Sequence, residues 1–95
     1  RGECGFDEAT AALARLIPVG VRIWLVRPVG YENRDYYRRL LRYVHRNGDI
    51  GLALVRAGYA EAYVKYPHPR EAHYVAAERA ARSNSRGLWQ LCGHP

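Results

Sequence analysis

Residues 35–43 read Asp-Tyr-Tyr-Arg-Arg-Leu-Leu-Arg-Tyr. In an extended strand, side chains alternate with period two. Tyr37, Arg39, Leu41 and Tyr43 then share one face, and Arg38, Leu40 and Arg42 the other. The run suggests a chemistry. An arginine held beside tyrosines on a rigid strand offers a planar fork that binds two phosphate oxygens and stays charged at any working pH. A solvated hairpin whose arginines only aid solubility is the competing reading of the same run.

The surrounding chain has 95 residues, enough for one small domain. Its apolar share of 48% can supply a core, which excludes a disordered tail. Lys and Arg outnumber Asp and Glu by 15 to 9, and all of the basic residues except Lys65 are arginines. A net charge of +6 favours anionic partners, nucleic acid first. Eight tyrosines against one phenylalanine suit stacking surfaces, since tyrosine joins an apolar body to a polar tip. No apolar run approaches the ~20 residues needed to span a bilayer. The chain opens on Arg1, so processing or truncation of a longer protein is expected.

The pattern predicts a first helix capped by Asp7 and running to about Ile17, ended by Pro18 and Gly20. Val21 to Val26 reads as a strand buried on one face and partly on the other. Pro28 to Asp35 reads as loop, and a second strand follows over roughly Arg39 to His45. Asn47-Gly48 is a tight-turn signal. Asp49 or Ile50 opens a second helix through Ala57, with Gly58 at the left-handed cap position. Tyr59 to Tyr66 reads as extended. Pro69 precedes a third helix over about Arg70 to Arg82, whose alanines suit close helix packing. Residues 83–87 break it, and Leu88-Trp89 returns an apolar anchor. The fold class is α+β. Two or three strands leave sheet edges unpaired, so further strands are expected from elsewhere.

Cys4 and Cys92 stand almost at opposite ends. A bridge is the preferred reading, since small domains that use bridges are usually exported, and two free thiols the alternative. His68 and His73 make a poor metal pair, and surface or helix-cap roles are expected of them. His45 and His94 suggest no role.

Four motifs in order resemble the staphylococcal nuclease (thermonuclease) family, over about Glu3 to Trp89. They are Glu3-Cys4-Gly5-Phe6 with Glu8-Ala9; Asp35, Tyr37, Arg39, Leu41 and Tyr43; residues 52–60, which include Leu54-Val55, Gly58 and Ala60; and Glu71 to Trp89, ending Arg86-Gly87-Leu88-Trp89. The resemblance implies a partial OB-fold barrel with three helices, in which residues 1–95 form the C-terminal part of a single domain and the first three barrel strands lie outside it. A second chain or copy completing the barrel is one way to supply them.

The resemblance further implies hydrolysis of phosphodiester bonds in DNA and RNA with calcium. The family's strand arginine maps onto Arg39, the catalytic candidate. Tyr37, on the matched motif, and Arg38, read as a second cation beside Arg39 unless the turn there differs, are the phosphate or nucleic-acid candidates, and Tyr63 and Tyr66 lie where the family has tyrosines that cover the nucleotide base. No metal ligand is assigned in this chain, because the family's calcium carboxylates belong to strands upstream of it. Arg38 departs from the family, which has glycine there, and Tyr36 replaces a lysine. These departures keep a non-catalytic nucleic-acid or protein binding module as the alternative. The cysteine pair points to an extracellular or cell-envelope location.

Overall fold

A computed structural model describes residues 4–28, 42–62 and 68–93. The elements run α1 (Phe6–Leu16), β1 (Trp24–Val26), β2 (Tyr43–His45), α2 (Ile50–Ala57), α3 (Glu71–Ser83) and α4 (Leu88–Leu91). This is α+β, with a small antiparallel sheet. The expected loop from Pro28 to Asp35 and the expected strand start at Arg39 lie, apart from Pro28 itself, outside the described residues. A closed barrel is not seen among the residues described.

Each element follows from local chemistry. Gly5, at φ 82°, is the N-cap of α1, and Asp7 sits inside the first turn, where a carboxylate favours the positive end of the helix dipole. Asp7 is therefore not the cap that was expected. A side chain at Gly5 would overlap Leu88, so glycine lets α1 start against α4. After β2, the chain reverses at Asn47 and Gly48, both at positive φ, and the Arg46 N–H donates to the Gly48 carbonyl at 3.0 Å. Asp49 caps α2 through its side chain, and Gly58 ends it at φ 87°.

β1 pairs with β2 antiparallel, with Trp24 opposite His45, Leu25 opposite Val44 and Val26 opposite Tyr43. The expectation that the first strand is buried does not hold. Trp24 and Leu25 are 59% and 60% exposed. Among the described residues the sheet has two strands, and of β1 only Val26 is partly covered.

The core lies instead where α2 packs on α3, with Ala12, Tyr43, Ile50, Val55, Ala77, Ala81 and Trp89 buried. Both buried residues of α3 are alanines, so that helix approaches closely, as its composition suggested. The helix count differs from the expected three. Leu88–Leu91 forms a fourth, short helix rather than a bare anchor. It is seated by the Leu88 N–H, which donates to the Gly58 carbonyl at 2.9 Å. Trp89 is buried there with the Arg82 guanidinium 4.8 Å over its ring.

Candidate functional site

Asp49 is a hub of the described structure. Its backbone is extended, at φ −78° and ψ 110°, which aims the side chain back over the first turn of α2. Oδ1 accepts from the Leu52 N–H at 3.0 Å and from the Tyr74 hydroxyl at 2.6 Å. Oδ2 accepts from Nη1 of Arg70 at 2.8 Å. One carboxylate thus ties the start of α2 to the start of α3.

Arg70 is the second hub. It is the N-cap residue of α3, and its Nη1 reaches Nε2 of His45 at 2.6 Å as well as Asp49. Its guanidinium carbon lies 4.0 Å from the centre of the Tyr43 ring, a cation–π distance. Its backbone N–H donates to the Tyr43 hydroxyl at 3.1 Å. That hydroxyl is also 2.7 Å from Nδ1 of His68. The rings of Tyr43, His68 and Tyr74 form a compact aromatic group, with His68 edge-on to Tyr74 at 5.3 Å and to Tyr43 at 5.7 Å.

The electrostatics follow from these contacts. Burial raises the Asp49 carboxyl, but the bonds from Tyr74, Leu52 and Arg70 together outweigh it and leave it below its ordinary value. Tyr74 shifts the other way. Burial, then its bond to the Asp49 carboxylate, pushes its hydroxyl well above the ordinary tyrosine value. Both shifts favour the state in which Tyr74 donates to an ionised Asp49.

The structure also anchors the segments that border this cluster. Tyr43 ends the run that begins at Asp35. The Ala62 N–H donates to Oε1 of Glu78 on α3 at 2.5 Å, just before Tyr63, and His68 is held by Tyr43 just after Pro67. Ala62 and His68, the described residues on either side of 63–67, are therefore both held by side chains of the body. Tyr37, Arg38, Arg39, Tyr63 and Tyr66 themselves lie outside the described residues. The two cysteines are described and joined, as a Cys4–Cys92 disulfide with Cα atoms 6.0 Å apart. It pins the start of α1 to the end of α4.

Sequence reasoning missed the cluster. His68 was expected at the surface or at a helix cap, but it is partly buried and bonded to Tyr43, while His73 is exposed. His45 suggested no role, yet it faces Arg70. A usable signal existed in the Arg70 and Tyr74 pair, four apart on one helix face, and in Tyr43 and His45, two apart on one strand face. What joins those pairs is tertiary.

Calcium was implied by resemblance, and the described residues do not form a site for it. Among them, no group of three or more His, Cys, Asp and Glu is gathered closely enough to hold a metal ion. Asp49, the carboxylate of the cluster, has both oxygens engaged by protein donors. No helix among the described residues is long and apolar enough to cross a membrane.

A small basic α+β domain, stapled end to end and organised by a carboxylate–arginine–tyrosine cluster at the feet of two helices, is what the fold and site define. The chain belongs to the staphylococcal nuclease homologue family, whose profile matches residues 7–91. It is also similar to the endonuclease YhcR of Bacillus subtilis (strain 168), with 38% identity over 66 residues. That match covers 64% of this chain and 5% of the relative, so the chain spans a small fraction of that protein's length.

Proposed function

We propose that the chain is the C-terminal part of a single nuclease domain that hydrolyses phosphodiester bonds of DNA or RNA. The observation that carries this reading is a convergence. Tyr43 closes the arginine-rich run, His68 follows the Tyr63–Pro67 segment, and their side chains meet at 2.7 Å. Tyr43 and His68, the described residues that border the two stretches of candidates, thus meet at one place on the fold.

In this reading Arg39 neutralises charge that builds on the phosphate oxygens in the transition state, an electrostatic role of large effect in such sites. Arg38 and Tyr37 add contacts to neighbouring phosphates. Tyr63 and Tyr66 stack on bases, worth roughly 1–3 kcal/mol per base in single-strand binders. The net charge of +6 draws the polyanion in, with an affinity that falls as salt rises. Calcium, in keeping with the family, is held by residues other than those described.

The apolar residues exposed at β1 among the described residues support a further element of the reading. Ile23, Trp24 and Leu25 are all exposed apolar residues. A neighbouring strand, from another segment, a second chain or a second copy, covers this edge in the active form, and the 95 residues alone are incomplete or inactive. The disulfide supports an oxidising compartment, extracellular or in the cell envelope.

The test is incubation with calcium and labelled single- and double-stranded DNA and RNA, alongside light scattering. Cleavage by the full domain supports the enzyme. Binding without cleavage by that full domain moves the reading to a non-catalytic module, which Arg38 in place of the family's glycine already favours.

A further inference from the structure

The ends of α2 and α3 gather arginines. Arg56 stands in the last turn of α2, and Arg79 and Arg82 on the second half of α3. Arg86 follows in the turn before α4. Its Nη1 donates to the Arg56 carbonyl at 3.2 Å, which brings these two exposed residues together. Arg82 lies with its guanidinium carbon 4.8 Å over the Trp89 ring, at the base of the same corner. The corner is tightly built. The Leu88 N–H donates to the Gly58 carbonyl, and a side chain at Gly87 would overlap the carbonyls of Ala57 and Gly58. The turn that carries Arg86 is therefore pressed against the end of α2. Beside it, Arg79, Arg82 and Ser83 line an open hollow of about 290 Å³ on α3, together with Val75 and Glu78.

Helix electrostatics account for part of this set. Arg56 and Arg82 sit in the last turns of their helices, where a cation offsets the carbonyl end of the dipole. Arg79 stands before the last turn of α3, and Arg86 lies outside the helices. Arg79 and Arg82, three apart on one helix, repel each other. Two carboxylates are near. Glu78 gives Oε1 to the Ala62 N–H and holds Oε2 3.8 Å from Arg82, while Glu61 borders a separate hollow beside Trp89 and the disulfide. The four arginines outweigh them, and the corner stays positive. A ligand that spreads negative charge along a line relieves the repulsion, and a phosphodiester backbone does so. The arginine fork matches phosphate oxygens, and two forks of this set are held in advance, one on Trp89 and one on the Arg56 carbonyl.

We propose that the corner where α2, α3 and α4 meet is a second binding surface for a nucleic-acid strand, formed by Arg56, Arg79, Arg82 and Arg86. The inference rests on the nucleic-acid reading above and adds a site to it. Arg82 stands about three turns along α3 from Arg70, roughly 18 Å at ~1.5 Å per residue. The surface is thus separate from the Asp49–Arg70 cluster. Its contacts go to phosphates, so it positions a strand without reading its sequence.

The test removes two charges from this surface and, separately, two from elsewhere. Arg56 and Arg79 are exposed, as are Arg15 in the last turn of α1 and Arg22 before β1, so two double alanine variants change the net charge equally. These variants, the native chain and Arg56→Lys with Arg79→Lys are titrated with a fluorescein-labelled oligothymidylate of about 16 nucleotides, the upper site size of a single-strand binder. EDTA blocks cleavage, far-ultraviolet circular dichroism checks folding, and salt runs from about 50 to about 200 mM. Each single-strand phosphate contact contributes about 0.7 to the slope of log affinity against log salt. Arg56→Ala with Arg79→Ala is therefore expected to lower the slope by about 1.4 and the affinity on the order of tenfold. Arg79→Ala alone, with half that change in slope, serves should the pair not fold. The lysine pair is expected to keep the native slope, and Arg15→Ala with Arg22→Ala to stay close to it. If both alanine pairs change the slope alike, or neither does, this inference falls and the nucleic-acid reading stands. If Arg56→Ala with Arg79→Ala loses phosphatidylserine vesicles and keeps the oligonucleotide, the surface belongs to a membrane and the inference falls. If the native chain does not bind the oligonucleotide even at about 50 mM salt, the nucleic-acid reading falls and takes this surface with it.

Discussion

The hydroxyl of Tyr43 lies 2.7 Å from Nδ1 of His68, across a sequence separation of 25. With its proton on Nε2, the neutral imidazole accepts from the hydroxyl, while the hydroxyl oxygen accepts from the Arg70 N–H. One phenol therefore locks the end of a strand to the turn that precedes α3. Tyr43→Phe is expected to cost about 1–2 kcal/mol, since the Arg70 N–H and the His68 ring each lose a partner in a partly buried place. Urea melts at neutral pH check this.

Asp49 should govern stability in acid. Its carboxyl is held below its ordinary value in the folded chain, so its contribution is fully present above the unfolded carboxylate range. That contribution is lost as pH falls through the folded value. Asp49→Asn is expected to lower stability at neutral pH and to flatten the acid limb of a stability–pH curve. Asp49→Ala also removes the helix cap, for which about 1 kcal/mol is typical. Thermal melts between about pH 7 and pH 2 on all three chains make the comparison.

Tyr74 should govern the alkaline side. Its hydroxyl is raised in the folded state, so the stability it confers is present below the ordinary tyrosine value and is lost as pH climbs towards the raised one. Absorbance titration of the phenols should show a late ionisation step, and Tyr74→Phe should reduce its amplitude by one phenol. If the late step keeps its full amplitude in Tyr74→Phe, the placement of the Tyr74–Asp49 bond is wrong.

The disulfide should be a major source of stability. Cys4 and Cys92 are separated by 88 positions, and the loop-entropy relation gives a closure of that length on the order of 4–5 kcal/mol. Mass measurement without reductant should find no alkylatable thiol in the native chain. Cys4→Ser with Cys92→Ser should lower the midpoint in urea without moving the position of the Tyr43–Asp49–Arg70 cluster, which stands on other elements.

Arg39→Ala, in a full nuclease domain with calcium, is expected to cut turnover by about a hundredfold or more, the order seen when one transition-state donor is lost. Affinity should change less, because other cations carry the backbone contacts. Arg38→Gly separates two roles. It preserves or raises activity if Arg38 is a turn substitution, and lowers it if Arg38 holds a second phosphate. Initial rates on a labelled oligonucleotide decide, and an unchanged rate for Arg39→Ala would defeat the enzyme reading as placed here.

Local signals in the sequence determined α2 almost completely. Asp49 before an apolar run and Gly58 after it name both caps, because capping depends on the backbone groups of a single turn. The Asn47-Gly48 turn and the alanine-lined α3 were legible for the same reason. The family was legible too, since four motifs kept their order along the chain. Other features were decided only in three dimensions. Gly5, not Asp7, is the cap of α1, and Leu88, far along the chain, crowds the place where a side chain on residue 5 would stand. Leu88–Leu91 became a helix because the Gly58 carbonyl was waiting for its N–H. The exposure of β1 was hidden from pattern analysis, since alternation reports which residues could be buried and not whether anything covers them. The same holds for the cluster. His45, His68 and Arg70 are ordinary polar residues in one dimension, and each gains its role from partners 21 to 25 positions away that folding brings within hydrogen-bond reach.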